Sequence, residues 1–155
     1  MCYEDGGVVD DLLVYCYGDY FMLVVNASNI EKDFNWLASN KGGFDVELTN
    51  RSDDFSLLAV QGKNAINTLQ KLTDTDLTPM KYYTFAEGKI AGVDAIISRT
   101  GYTGEGIGFE IYIPSDKATS AKIWKEIFRI FTFVQYDLLY IKGIYNSSIS
   151  LLRYS

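Results

Sequence analysis

The sequence predicts an α+β fold. Short apolar runs, alternating or continuous and bounded by glycine and polar turns, read as strands. Two stretches with apolar residues at helical spacing lie among those runs, and a third follows them at 116–131. With 155 residues the chain is about one domain and can bury a core. Its apolar fraction of 48% and charged fraction of 22% are ordinary for a globular protein.

Gly6-Gly7 opens a predicted strand, Val8 to Tyr17, largely apolar after Asp10-Asp11. Gly18-Asp19 makes a turn, and Tyr20 to Val25 returns as a second strand. Asn29 is placed to N-cap a helix in which Ile30, Phe34 and Leu37 recur at helical spacing. Glu31 and Asp33 suit its first turn, and Gly42-Gly43 ends it. Phe44, Val46 and Leu48 alternate with polar residues as a half-buried strand, and Phe55 to Gln61 is a continuous strand. Gly62 to Leu72 reads as a second helix, 73–81 as a loop, and Tyr82 to Phe85 as a strand. Residues 20–86 therefore follow the ferredoxin-like order β-α-β-β-α-β. Ile90 to Ser98 and Phe109 to Ile113 add an antiparallel strand pair around a glycine-rich segment. A C-terminal helix follows, capped by Ser115 and running from Asp116 to about Phe131, with Ile123, Trp124, Ile127 and Phe128 inward. Residues 132–155 are rich in Tyr and Ile and show no clear period.

The net charge of −6 argues against a nucleic-acid partner. There is no histidine, which removes the commonest metal ligand, the usual triad base and the physiological proton shuttle. No metal site is predicted. Cys2 and Cys16 lack metal-ligand spacing and are expected to be buried small hydrophobes in a reducing cytosol. No run approaches the ~18 apolar residues of a membrane span. The first residues lack the basic stretch of a signal peptide, so a cytoplasmic location is expected.

The chemistry concentrates between Ser98 and Glu110. Glycines at 101, 104, 106 and 108 let the backbone take φ > 0 or approach a ligand closely. Threonine hydroxyls can hold such a loop. Tyr102 offers a flat face, and Glu110 offers two acceptor oxygens at the start of a strand. From the residues alone, a decorated hairpin loop is the favoured reading of this segment, and a solvated strand residue that of Glu110. Asp10-Asp11 is a second constellation. As adjacent strand residues they face opposite sides, so only one can enter a given cleft, and plain solvation is the alternative. Asn26 is equally suited to helix capping.

Ser98-Arg99-Thr100-Gly101-Tyr102-Thr103-Gly104-Glu105, followed by Gly108-Phe109-Glu110, resembles the signature of the glycine cleavage T-protein family, the tetrahydrofolate-dependent aminomethyltransferases. Residues 4–12, 23–33 and 58–62 resemble the same family in the same order. Gly106-Ile107-Gly108 makes the link to Phe-Glu one residue longer than usual. The resemblance implies a partial folate-binding domain over residues 1–131 and a divergent tail over 132–155. A shifted reading frame or a premature end in the coding sequence would account for that tail. Met1 to Gly7 resembles the middle of a family chain, which implies an upstream segment and a further C-terminal domain outside this sequence.

The implied reaction transfers the methylene of an aminomethyl group, carried on lipoylated H-protein, to tetrahydrofolate with release of ammonia. The resemblance assigns Glu110 to the donor edge of the pterin, Tyr102 to its ring, and Val24 and Asn26 to the folate-site lining. It assigns Asp11 to the reacting nitrogens as the catalytic carboxylate. Tyr15, Arg99 and Glu105 are weaker candidates, Arg99 as a loop organiser or ion-pair partner. A non-catalytic folate-binding module and a plain interaction domain are the alternatives. Residues 1–155 alone are expected to turn over little, and to self-associate through uncovered apolar surface, chiefly Phe131 to Tyr145.

Overall fold

The computed structural model describes residues 1–101, 108–131, 140–144 and 148–154. The chain divides into two compact units, Met1–Asp54 with Asn146–Ser155, and Phe55–Tyr145. Each is built on one antiparallel sheet, so the α+β class holds.

In the first unit the strand order is β1 (Leu12–Cys16), β2 (Tyr20–Val25), β9 (Ser148–Tyr154), β3 (Val46–Asn50). β1 and β2 form a hairpin through Gly18, whose φ of +90° suits a residue without a Cβ. The predicted strand from Val8 begins only at Leu12. Val8 instead makes an isolated bridge to Cys2 and is 73% exposed. Both cysteines are exposed, against expectation. Cys16 shares the outer side of the edge strand β1 with exposed Val14, two residues away, while Tyr15 between them is buried. Helix α1 (Ile30–Asn40) forms as its spacing predicts, but Asn29 makes no side-chain cap bond. Glu31 and Asp33 lie in the helix's first turn, and Asp33 is fully buried there.

In the second unit the order is β5 (Phe85–Ile90), β6 (Val93–Ser98), β7 (Gly108–Pro114), β4 (Phe55–Gln61), β8 (Tyr140–Ile144). β4 is paired on both edges and buried on both faces from Ser56 to Gln61, and the burial of both faces accounts for its near-continuous apolar run. Phe109, Ile111 and Ile113 of β7 pack into a core with Leu69 of α2 (Ala65–Leu69) and Ile123 and Ile127 of α3 (Lys117–Phe131). Each fully buried side chain of this size stabilises by about 1.5–3 kcal/mol. Ser120, Ile123, Ile127 and Ile130 form the buried stripe of α3 at helical spacing. Phe128, predicted inward, lies one residue round from that stripe and is 48% exposed. Asp116, rather than Ser115, caps α3 by accepting from Thr119 N–H at 2.8 Å.

The ferredoxin-like core is not what forms. The elements β2-α1-β3-β4-α2-β5 occur in that order along the chain, but β2 and β3 belong to one sheet and β4 and β5 to the other. β9, drawn from the stretch without legible period, pairs between β2 and β3. Apolar patterning specifies which residues form strands and leaves their partners open. The predicted strand Ile90–Ser98 is broken by a two-residue turn at Ala91-Gly92, with φ of +49° and +81°, the signs a tight hairpin needs. Gly92 suits such a turn but Ala91 is a poor turn residue, so the sequence marks the break only weakly. Phe131–Tyr145, predicted to drive self-association, has its side chains outside the described residues. Among the described residues no helix is long and apolar enough to cross a membrane.

The α3 stripe makes a direct test possible. Ile127→Ala should destabilise by about 2–5 kcal/mol and Phe128→Ala by less than about 1 kcal/mol. Urea unfolding of the two variants checks this; equal losses would place the buried stripe wrongly.

Candidate functional site

The polar side chains singled out by the sequence gather in two groups, one in each unit. In the first unit, the Asn26 amide nitrogen donates to Asp10 Oδ1 at 2.9 Å and to Asp11 Oδ1 at 3.0 Å. Asn29 Nδ2 donates to Asp10 Oδ2 at 2.7 Å, which is why it caps no helix. Asp11 N–H donates to Asp10 Oδ1 at 3.0 Å. Asp10 therefore gathers this group, and Asp11 remains exposed with its carboxylate oriented by Asn26. The expectation that the two aspartates face opposite sides fails because β1 starts at Leu12. Outside the pleat, both carboxylates reach one amide. Asn26 is accordingly a carboxylate-holding residue and makes no side-chain cap bond.

Asp33 completes the group from α1. Neither of its carboxylate oxygens receives a hydrogen bond among the described residues, and Lys32 Nζ stands 4.0 Å away. Burial, then the neighbouring Asp10 carboxylate, pushes Asp33 up to about 6. A proton on Asp33 can be donated to Asp10. Burial also works to raise Asp10. The amide of Asn29, the Asp33 proton, the amide of Asn26 and the Asp11 N–H outweigh it and hold Asp10 down to about 2.

In the second unit, Glu110 lies on β7 between Ser98 of β6 and Ala59 of β4, and is 2% exposed. It is not the solvated strand residue that the bare sequence allowed. Thr100 Oγ1 donates to its Oε2 at 2.6 Å, and the Tyr112 hydroxyl lies 3.4 Å from the same oxygen. Burial raises the Glu110 pKa, and these two donors counter it. Arg99 organises the neighbouring loop. Its guanidinium donates to the Met80 carbonyl, and its backbone pairs with Tyr83 and Thr84. Gln61, the last residue of β4, lies across from Gly108 in the β4–β7 register.

The structure thus brings Asp11 and Asn26 together and sets Glu110 beside Thr100. Val24 is buried within β2, with Leu13 of β1 and Ile149 of β9 as its register partners, and Tyr15 is buried in β1. Tyr102 and Glu105 lie outside the described residues. Among the described residues no group of three His, Cys, Asp or Glu side chains could hold a metal ion.

The pattern of the GCVT N-terminal domain family matches residues 1–131. The chain belongs to that family. Relatives include the aminomethyltransferase of Thermosipho melanesiensis, 56% identical over 131 residues, covering 84% of this chain and 36% of that one. The aminomethyltransferase of Thermoanaerobacter sp. strain X514 is 54% identical over 132 residues, covering 84% of this chain and 35% of that one. The chain therefore spans about a third of the length of these relatives. In fold it is similar to the crystal structure of the glycine cleavage system aminomethyltransferase T of Bartonella henselae. That similarity has a TM-score of 0.52 at 15% identity, over 92% of this chain and 37% of that one.

Within this GCVT N-terminal domain, four residues matter more than the sequence alone suggested: Asp10, Asp33, Gln61 and Thr100. Two left a signal. Asp33 occupies an inward helical position between Ile30 and Leu37, and Gln61 ends an apolar run, where an amide must find partners. Asp10 left none that separates it from Asp11.

Asp33 makes stability depend on pH. Its carboxyl has a higher pKa folded, about 6, than its ordinary 3.8, so between those values the folded chain holds the extra proton. Its contribution to stability is present at low pH and lost as pH rises through about 6. Asp10 acts oppositely, stabilising above its ordinary 3.8 and losing that contribution as pH falls toward about 2. Asp33→Asn supplies a permanent donor toward Asp10. It should stabilise by about 1–3 kcal/mol at pH 7.5 and by much less at pH 4.5. Urea midpoints at the two pH values test this; a variant less stable than the parent at pH 7.5 would refute the shared proton.

Proposed function

We propose that this chain is the folate-binding part of an aminomethyltransferase of the glycine cleavage system, with tetrahydrofolate and lipoylated H-protein as its partners. The observation that supports this most is the family match over residues 1–131, which contain Asp11, Asn26 and Glu110, together with aminomethyltransferase relatives at above 50% identity. The side-chain chemistry is compatible with it. A carboxylate buried as deeply as Glu110 needs hydrogen-bond donors, and among the described residues the two that reach it both go to Oε2. The paired N–H donors of a reduced pterin would satisfy it further in a charge-assisted bond.

Bound tetrahydrofolate would supply the nitrogen that accepts the methylene. Glu110 would orient the pterin, with Thr100 holding the carboxyl in one rotamer. Asp11, exposed and aimed by Asn26, would stabilise positive charge developing on nitrogen without exchanging a proton. Asp10 acts behind it, holding Asn26 and the Asp11 backbone. Tyr102, Val24 and Asn26 are proposed to line the folate site.

Calorimetric titration with tetrahydrofolate tests the proposal, and an absence of binding would reject it. Glu110→Gln should weaken binding by about 1.5–3 kcal/mol, roughly 10- to 150-fold, because it removes the charged partner. Asp11→Asn should change affinity by less than about threefold, since its interaction strengthens only as charge develops. Residues 1–155 alone should release little ammonia from aminomethylated H-protein and run larger than a monomer in light scattering. Ammonia release at the rate of an intact aminomethyltransferase would show the site to be complete within these residues.

A further inference from the structure

We infer that Gln61 is a positioning residue whose amide clamps the two ends of the glycine-rich segment 101–108. Gln61 is 2% exposed at the end of β4. Its Nε2 carries two protons, and two carbonyls lie within reach, Thr100 O at 3.4 Å and Phe109 O at 3.2 Å. Thr100 immediately precedes Gly101, and Phe109 immediately follows Gly108. One side-chain amide therefore ties together the strand leaving β6 and the strand entering β7.

The two glycines are what admit that amide. A Cβ at Gly101 would lie 1.8 Å from Gln61 Oε1, and one at Gly108 would lie 2.1 Å from the same atom. Both distances are far below the 3.0 Å that real Cβ contacts keep. Neither glycine has positive φ, so backbone freedom is not the reason for either. The close approach read from the sequence is real at these two positions, and the approaching group is Gln61. Its consequence reaches the Glu110 site, because the clamped carbonyl belongs to Thr100, whose hydroxyl holds Glu110 Oε2. The relevance to folate rests on the proposed function; the clamp itself does not.

The test uses hydrogen–deuterium exchange of the 155-residue chain, read on peptides covering 100–109, with urea unfolding as the control for the fold. Gln61→Met keeps length and removes both donors; Gly101→Ala expels the amide. Each should speed local exchange at least about 5-fold, as loss of two hydrogen bonds to a local opening implies, with β4 and α3 unchanged. In Gln61→Ala, where the slot is already empty, adding Gly101→Ala should speed exchange little further. Unchanged exchange in Gln61→Met, or simple additivity in the double variant, would overturn the clamp. Tetrahydrofolate titration separates the two proposals. If the parent chain binds folate, Gln61→Met should weaken that binding several-fold, and equal affinity would overturn the positioning role. If the parent binds none while the exchange results hold, the clamp stands and the folate reading falls.

Discussion

β7 has a hydrogen-bonded neighbour on each edge, and the two faces of the strand make opposite demands. Alternation sends Phe109, Ile111 and Ile113 into the apolar core beneath α2 and α3. It sends Gly108, Glu110 and Tyr112 to the other face. Register then dictates what accompanies them: Gln61 opposite Gly108, Ala59 opposite Glu110, and Ser98 opposite Glu110. A slip of one residue would carry Glu110 into the core and bury a carboxyl among isoleucines, at a cost of several kcal/mol. The polar face and the apolar core therefore enforce the same register.

The first unit meets a related demand through hydrogen bonding. Asp10 lies just before its strand, where the backbone has no ladder to satisfy it. Two asparagine amides and the next backbone N–H converge on its carboxylate. That convergence takes Asn29 away from capping α1 and Asn26 away from the 3-10 turn that follows it. It leaves Asp33 buried against a stabilised anion, which is why the two carboxyls titrate in opposite directions from a common ordinary value of 3.8. Asp11 is held in place as a by-product and keeps its exposure. The role proposed for Asp11, at charge developing on a substrate nitrogen, would use both properties.

Membership of the GCVT N-terminal domain family rests on sequence and covers residues 1–131. The tail beyond it still contributes backbone. β8 extends the second sheet beside β4, and β9 joins β2 to β3. A segment without legible alternation can do this because ladder hydrogen bonds are made by the main chain, whatever the side chains.

Local periodicity determined much by itself. Tyr20–Val25, Phe55–Gln61, α1 and α3 follow from their apolar patterns, which suit a buried strand or a helix with one buried stripe. The ordered motifs around Asp11, Asn26 and Glu110 were likewise enough to indicate the family. What the sequence could not settle was pairing and environment. It did not show that β9 inserts between β2 and β3, that Asp10 rather than Asp11 gathers the amides, or that Gly101 and Gly108 make room for Gln61. Each of these depends on residues between 16 and 133 positions apart meeting in space. Such meetings are decided by register and packing, which no local pattern encodes.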